Sequence, residues 1–107
     1  MEYLYIEETE LIYTDLSEPN PPTVNLAYSS INTIFYGIRT RKFLFGLIKI
    51  PERHLTIRAN GRDYRILQHN AGKEKLEEYI EAVKAFAHKH RVTIRETTGD
   101  SDEDYRL

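Results

Sequence analysis

Histidine and acidic side chains are the groups in this chain that could hold a metal ion or transfer protons, and their spacing supports neither role. The four histidines are His54, His69, His88 and His90. His88 and His90 are two residues apart in a predicted helix, so they point about 200° away from each other and cannot share one metal ion. We interpret His90 as an edge-of-core residue and His88 as a surface residue. No metal site is predicted.

Two further segments resemble the start of a reactive site and lack the rest of it. The segment DSDED, residues 100–104, has acids at alternate positions as a calcium-binding loop does, but Tyr105 follows where that loop needs glycine. The hydroxyls of YSS, residues 28–30, have no flanking glycines that would form a nucleophile elbow. The sequence contains no glycine-rich phosphate loop and no cysteine. We therefore predict that the protein is not an enzyme and needs no cofactor.

Binding of anions is a third chemistry, and it is suggested by cations in the middle of the chain. Residues 1–38 contain six acids and no Lys or Arg, residues 39–65 contain eight Lys or Arg and two acids, and the remainder contains seven and nine. The net charge of −2 therefore conceals a basic centre. Arg39, Arg41 and Lys42 are concentrated in four residues, directly before Phe43-Leu44-Phe45-Gly46.

This basic cluster has two interpretations. Cations at the height of lipid phosphates, with aromatic residues beside them, are typical of peripheral membrane surfaces. The same residues also suit a solvated connection between two strands, in which Lys49 points outward and Ile48 and Ile50 point into the core. The candidate binding residues are Arg39, Arg41, Lys42, Phe43 and Phe45.

Seven segments have the composition of β-strands that could position these side chains. They are Tyr3–Ile6, Glu10–Tyr13, Thr23–Ala27, Ile31–Tyr36, Phe43–Ile50, His54–Ala59 and Arg62–Leu67. The first two are predicted to form a hairpin. Residues 15–22 contain three prolines and are predicted to form a loop.

The last two predicted strands flank Asn60-Gly61, the preferred sequence for a type I′ hairpin turn. This turn places Arg58 opposite Asp63 and predicts an ion pair between them. Residues 73–91 then change to a helical period. The apolar stripe of this predicted helix consists of Leu76, Tyr79, Ile80, Val83, Phe86 and Ala87, with His90 at its end.

These elements predict one α+β domain at residues 1–95, followed by an acidic, disordered tail at residues 96–107. The N-terminal sequence MEYLYIEE has acids where a secretory signal has cations. We therefore expect a cytoplasmic protein without a transmembrane segment.

The order of the elements resembles the pleckstrin-homology-like (PH-like) superfold. The segments LAYSSI, HLTIRANGRDYRIL and KLEEYIEAVKAF are similar to the pattern of small bacterial PH-like domains, and the resemblance covers residues 3–92. It implies an antiparallel, partly open barrel of about seven strands that one C-terminal helix closes, and a binding or assembly role without catalysis. Relatives of that fold that bind phosphoinositides carry basic residues in and after the first hairpin. This chain has Glu7, Glu8 and Glu10 there, so no site residue is carried over.

Two functions from different classes follow. The first is a protein-interaction or self-assembly module that uses an exposed strand edge or residues 39–45. The alternative is a module that binds anionic lipid or another polyanion through Arg39–Lys42. The net charge of −2 and the acidic first third argue against nucleic acid as a partner.

Overall fold

Strands form about half of residues 2–99, which are the residues that the computed structural model describes. The strands are β1 (Leu4–Ile6), β2 (Glu10–Thr14), β3 (Thr23–Ala27), β4 (Ile31–Phe43), β5 (Ile48–Ala59), β6 (Arg62–Leu67) and β7 (Thr93–Thr98). A 3₁₀ turn at Tyr28–Ser30 connects β3 to β4, and the helices are α1 (Gln68–Ala71) and α2 (Lys73–His90). The predicted α+β class is confirmed.

The strands form two separate sheets. One is antiparallel in the order β1-β2-β3, and the other has the order β6-β5-β4-β7. Strand β7 runs parallel to β4, whereas β4, β5 and β6 are antiparallel. The predicted partly open barrel of about seven strands fits only in part: there are seven strands in two sheets among the described residues, but the sheets are not closed into a barrel, because the 3₁₀ turn takes the chain from β3 to β4 without pairing these two strands.

The strand predictions need one correction and one addition. Residues 43–50 are not a separate strand but contain the end of β4, a four-residue turn and the start of β5. Thr93–Thr98 forms β7, although its sequence TIRETT has no apolar alternation, because its backbone pairs with the edge of β4. The domain boundary predicted after residue 95 therefore falls inside a strand. The rest of the predicted tail, residues 100–107, lies outside the described residues.

The β5–β6 hairpin and the long helix confirm the sequence interpretation. Asn60 and Gly61 have φ angles of 54° and 74°, as a type I′ turn requires. Arg58 faces Asp63 in the register, and its Nε donates a hydrogen bond of 2.9 Å to Oδ1 of Asp63. This hydrogen bond lowers the pKa of Asp63. The six apolar residues of the predicted stripe are all buried in α2.

Helix α2 packs on one face of the four-stranded sheet, which we call the inner face. Arg53 Nε on this face lies 2.5 Å from Oε1 of Glu77 in α2, and Lys84 of α2 lies 4.6 Å from the centre of the Tyr36 ring. The core between helix and sheets includes Leu11, Leu26, Ile34, Leu55, Ile57, Ile66, Leu76, Ile80 and Val83. We call the opposite side of this sheet the outer face.

Candidate functional site: the β4–β5 arm

The central hairpin of the four-stranded sheet extends beyond both of its neighbouring strands. Strand β7 pairs with residues 33–38 of β4, and β6 pairs with residues 54–59 of β5. Residues 39–43 pair instead with residues 48–52. We call residues 39–52 the arm. Its two strand segments are about 17 Å long at 3.4 Å per residue.

The end of the arm is a turn at residues 44–47, which we call the tip. Leu44 and Phe45 have φ angles of 51° and 57°, and Gly46 has a φ of 89°. The amides of Gly46 and Leu47 donate to the carbonyls of Phe43 and Leu44, each at 3.1 Å. A left-handed conformation costs a residue with a β-carbon roughly 1–2 kcal/mol. Folding therefore holds two large apolar residues in a strained turn that Asn and Gly would form more easily.

The tip and the adjoining strand ends carry an exposed apolar patch. Relative exposure is 109% for Phe45, 84% for Leu47 and 62% for Leu44. The other exposed apolar side chains of the arm are Phe43, Ile48 and Ile50. Contiguous apolar surface of this kind is uncommon on a soluble domain and is typical of a contact surface for a protein or a membrane.

The two faces of the arm differ in chemistry. On one face Phe43 lies opposite Ile48, and Arg41 lies opposite Ile50. On the other face Lys42 lies directly opposite Lys49. Like charges at directly opposite positions destabilise a sheet. Neither lysine forms an ion pair with any residue from 2 to 99.

A buried carboxylate fixes the base of the arm to the domain. Glu52 is buried, and its Oε1 lies 3.0 Å from Nε of Arg41. Its Oε2 accepts a 3.3 Å hydrogen bond from the backbone amide of His69 in α1. The same oxygen is also hydrogen-bonded to Nδ1 of the His69 ring. The charge of Arg41 is therefore largely balanced within the protein, unlike the charges of the opposed lysines.

The structure brings the predicted site residues together but changes their setting. Arg39, Arg41, Lys42 and Phe43 lie in β4 and not in a connection, and of the predicted residues only Phe45 belongs to the turn. Ile48 and Ile50, which were expected in the core, are exposed. Sequence reasoning missed the tip residues Leu44 and Leu47 and the pairing of Lys42 with Lys49. The signal was the segment FLFGLIKIP, whose single glycine interrupts an apolar run at the centre of a hairpin.

No group of three or more His, Asp or Glu residues within residues 2–99 could hold a metal ion. No helix among these residues has the length and apolarity needed to cross a membrane.

Comparisons with known proteins identify no relative. Protein-family models, curated proteins and solved structures all give no match to this chain.

Proposed function

We propose that the protein is a non-catalytic, peripheral membrane-binding module that inserts the arm tip into the interface of an anionic bilayer. The observation that carries this proposal is the position of an exposed apolar tip directly beyond two opposed lysines. We assign it to the cytoplasmic leaflet, which is the anionic one. The PH-like resemblance, which implies binding without catalysis, remains a prediction that agrees with this role.

The length of the tip suits the depth of a bilayer interface. Lys42 and Lys49 precede and follow the tip by two residues, which is about 7 Å along a strand. Apolar groups of interfacial elements are buried about 5–10 Å below the headgroups. With the lysines at phosphate height, Leu44, Phe45 and Leu47 would therefore reach the acyl chains.

The backbone of the tip also suits partial insertion. Unsatisfied amide groups are costly in hydrocarbon, so an inserted turn must bond its own backbone. Two of the four tip amides, those of Gly46 and Leu47, donate within the hairpin. The backbone amides of Leu44 and Phe45 would stay at the depth of the headgroups, where lipid oxygens and water can accept their hydrogen bonds.

The charge of the arm favours an anionic surface over a second copy of the same arm. The segment from Arg39 to Pro51 contains four Lys or Arg and no acid. In a two-fold dimer built on the tips, each arm would meet an identical cationic arm. An anionic bilayer instead relieves the repulsion between Lys42 and Lys49, with about 1 kcal/mol expected per cation near the surface.

Vesicle binding tests the proposal directly. We expect the wild type to sediment with vesicles that contain phosphatidylserine and not with vesicles of phosphatidylcholine alone. L44S/F45S/L47S should weaken this binding by roughly 3 kcal/mol, about a hundredfold, because three apolar side chains no longer enter the bilayer. Tyr5→Ser removes an exposed apolar side chain outside the arm and serves as the matched control. Equal binding of wild type and the triple variant would contradict the proposal.

A second candidate, a protein-interaction or self-assembly module, is favoured by the edges of the arm. Within residues 2–99, residues 39–43 and 48–52 pair only with each other, so each side of the arm could accept an added strand. Light scattering distinguishes this function from the first. Self-association at micromolar concentration, together with no vesicle binding, would favour strand addition between copies.

A further inference from the structure

A small cavity lies at the base of the arm, where β4 and β5 extend beyond their neighbouring strands. Its volume is about 190 Å³, and its polar lining consists of Arg41 of β4, Glu52 of β5, Gln68 and His69 of α1, and Lys73 at the start of α2. One water molecule occupies about 30 Å³ of the liquid. The cavity therefore has room for about six waters, or for a polar group of the size of an amino acid.

Glu52 uses both of its oxygens to orient two of these side chains. Oε1 lies 3.0 Å from Nε of Arg41, and Oε2 is hydrogen-bonded to Nδ1 of His69. The side chain of Glu52 is 6% exposed, whereas those of Arg41 and His69 are 34% and 44% exposed. A ligand in the cavity therefore meets the guanidinium and the imidazole rather than the acid that holds them.

Arg41 and Lys73 supply the cavity with cationic hydrogen-bond donors. Within residues 2–99, Arg41 makes its ion pair through Nε, which leaves the two terminal nitrogens of the guanidinium for a ligand. Lys73 is exposed and forms no ion pair with a described residue. Because the planar fork of a guanidinium matches the two oxygens of a carboxylate, this part of the cavity suits a carboxylate group.

The α1 residues of the cavity add hydrogen-bond acceptors. An ionised carboxylate can only accept, so Nδ1 of His69 donates to Glu52, and Nε2 of the neutral ring is left as an acceptor. The side-chain amide of Gln68 supplies a carbonyl oxygen as well. Donors for a carboxylate together with acceptors for an ammonium group are what an α-amino acid requires.

The charge of the cavity favours a ligand with one net negative charge. Arg41 and Glu52 offset each other, so the cavity with neutral His69 keeps the single positive charge of Lys73. A dianionic phosphate monoester would exceed that charge. Phosphatidylserine has one net negative charge, because its phosphodiester and its carboxylate are anionic and its amino group is cationic.

The position of the cavity also suits a lipid headgroup. Arg41 lies one residue farther from the tip than Lys42, which is about 3.4 Å along the strand. With Lys42 at phosphate height, as membrane insertion of the tip requires, Arg41 is on the aqueous side of the phosphates. The serine group of phosphatidylserine extends from its phosphate in that direction.

We propose that the cavity at the base of the arm binds the serine headgroup of phosphatidylserine. This proposal rests on the membrane-binding function and names the lipid that the module prefers. The carboxylate pairs with Arg41 and Lys73, and the ammonium group donates to Nε2 of His69 and to the amide oxygen of Gln68. The lysines of the arm respond to charge alone, so the cavity distinguishes phosphatidylserine from phosphatidylglycerol, which has the same net charge and no carboxylate.

Vesicles of equal charge test this preference. We expect the wild type to bind vesicles with phosphatidylserine about fivefold more tightly than vesicles with the same fraction of phosphatidylglycerol, the upper range for an exposed ion pair. Arg41→Lys keeps the positive charge and loses the fork, so it should bind both kinds of vesicle equally. Arg62→Lys makes the same exchange at an exposed position away from the arm and should keep the preference.

The soluble headgroup separates this site from insertion of the tip. Glycerophosphoserine has no acyl chains, and at millimolar concentration it should shift the amide signals of His69 and Lys73 in wild type and not in Arg41→Lys. Glycerophosphoglycerol should leave these signals unchanged. Free L-serine should bind more weakly than glycerophosphoserine. Tighter binding of free L-serine would identify a free amino acid as the ligand and overturn the lipid assignment.

The outcomes for the site and for the membrane function can be told apart. Equal binding of wild type to both kinds of vesicle, with binding still dependent on the tip, would overturn the headgroup site and leave the proposed function intact. Shifts from glycerophosphoserine without binding to any vesicle would support the site and refute insertion of the tip. Neither shifts nor vesicle binding would refute both.

Discussion

The side chain of His54 is fully buried in the four-stranded sheet, and each of its ring nitrogens is hydrogen-bonded to a threonine hydroxyl. Its Nε2 lies 2.8 Å from Oγ1 of Thr97, and its Nδ1 lies 2.9 Å from Oγ1 of Thr56. The Thr97 hydroxyl donates to the carbonyl of Ile38 at 2.8 Å, so it accepts from His54. Nε2 therefore carries the proton and Nδ1 accepts from Thr56, which defines a neutral imidazole that connects β5 to β7.

We predict that His54 makes the protein less stable in mild acid. Burial, together with the positive charge of Arg39, lowers the pKa of His54 from 6.5 to about 4. Between these values the unfolded chain binds a proton that the folded chain does not bind. The free energy of unfolding should therefore decrease as the pH falls from 6.5 to 4, by up to about 1.4 kcal/mol per pH unit.

Urea denaturation at several pH values measures this effect. His54→Gln should reduce the slope of unfolding free energy against pH between 6.5 and 4.5, and His88→Gln, on the exposed side of α2, should leave it unchanged. An identical slope in His54→Gln and wild type would show that the imidazole is not responsible.

At the scale of elements, the two hairpins of the four-stranded sheet show why the sequence predicted one turn and missed the other. Asn60-Gly61 is a local signal, because its backbone preferences alone specify the turn and the register on either side. The β4–β5 turn has no such signal, since Leu44 and Phe45 oppose the left-handed conformation that they adopt. Strand β7 was missed for a related reason: its pairing depends on the distant edge of β4.

The candidate site was predictable in composition and not in geometry. The sequence places Arg39, Arg41, Lys42, Phe43 and Phe45 close together, and the arm contains all of them. Whether Ile48 and Ile50 are exposed depends on where β6 and β7 end, which is a tertiary property. The charge balance of Arg41 likewise depends on Glu52, eleven residues away along the chain and adjacent in space.

The strained tip predicts that stability and binding oppose each other there. Replacing Leu44-Phe45 by Asn-Gly, the sequence of the β5–β6 turn, should raise the free energy of unfolding by about 1 kcal/mol, because both new residues accept positive φ. The same L44N/F45G variant should lose binding to anionic vesicles. Thermal denaturation and vesicle sedimentation measure the two effects. A lower melting temperature for L44N/F45G would show that the tip is not strained.

Helix α2 contributes Phe86 to the core, where this side chain is buried. Phe86→Ala should lower the free energy of unfolding by roughly 3–5 kcal/mol, because it removes a large side chain and leaves a cavity. Glu78→Ala, on the exposed face of α2, is the control and should change stability by less than about 0.5 kcal/mol. An unchanged melting midpoint for Phe86→Ala would mean that α2 is not docked through this residue.

At the scale of the whole molecule, the distribution of charge corresponds to the division into parts. The domain is elongated, with principal dimensions of 43 × 32 × 26 Å. The first sheet and its loops lie within residues 2–27, which hold six acids and no Lys or Arg, whereas residues 39–51 of the arm hold four Lys or Arg and no acid. A molecule with this polarity would orient in the field of an anionic surface before contact, with the arm toward it.

The four cations of the arm should contribute unequally to membrane binding. Lys42 and Lys49 lie opposite each other without an ion pair to any described residue, whereas Arg41 lies 3.0 Å from Glu52 and Arg39 lies opposite Glu52 in the register. K42S/K49S should therefore weaken binding to phosphatidylserine vesicles by about 2 kcal/mol, roughly thirtyfold. R39S/R41S should have a clearly smaller effect, because Glu52 already offsets part of that charge.

The salt dependence of binding and a control variant test whether the effect is specific to Lys42 and Lys49. The difference between wild type and K42S/K49S should shrink as the salt concentration rises toward 1 M, where the Debye length is about 3 Å. R62S/K89S removes two exposed cations away from the arm and should bind as the wild type does, since Arg62 begins β6 opposite Ala59, at the end of β5 that is farthest from the tip. If R62S/K89S and K42S/K49S weakened binding equally, the attraction would depend on net charge alone. The arm would then have no special role, because the opposed lysines would contribute no more than cations elsewhere on the surface.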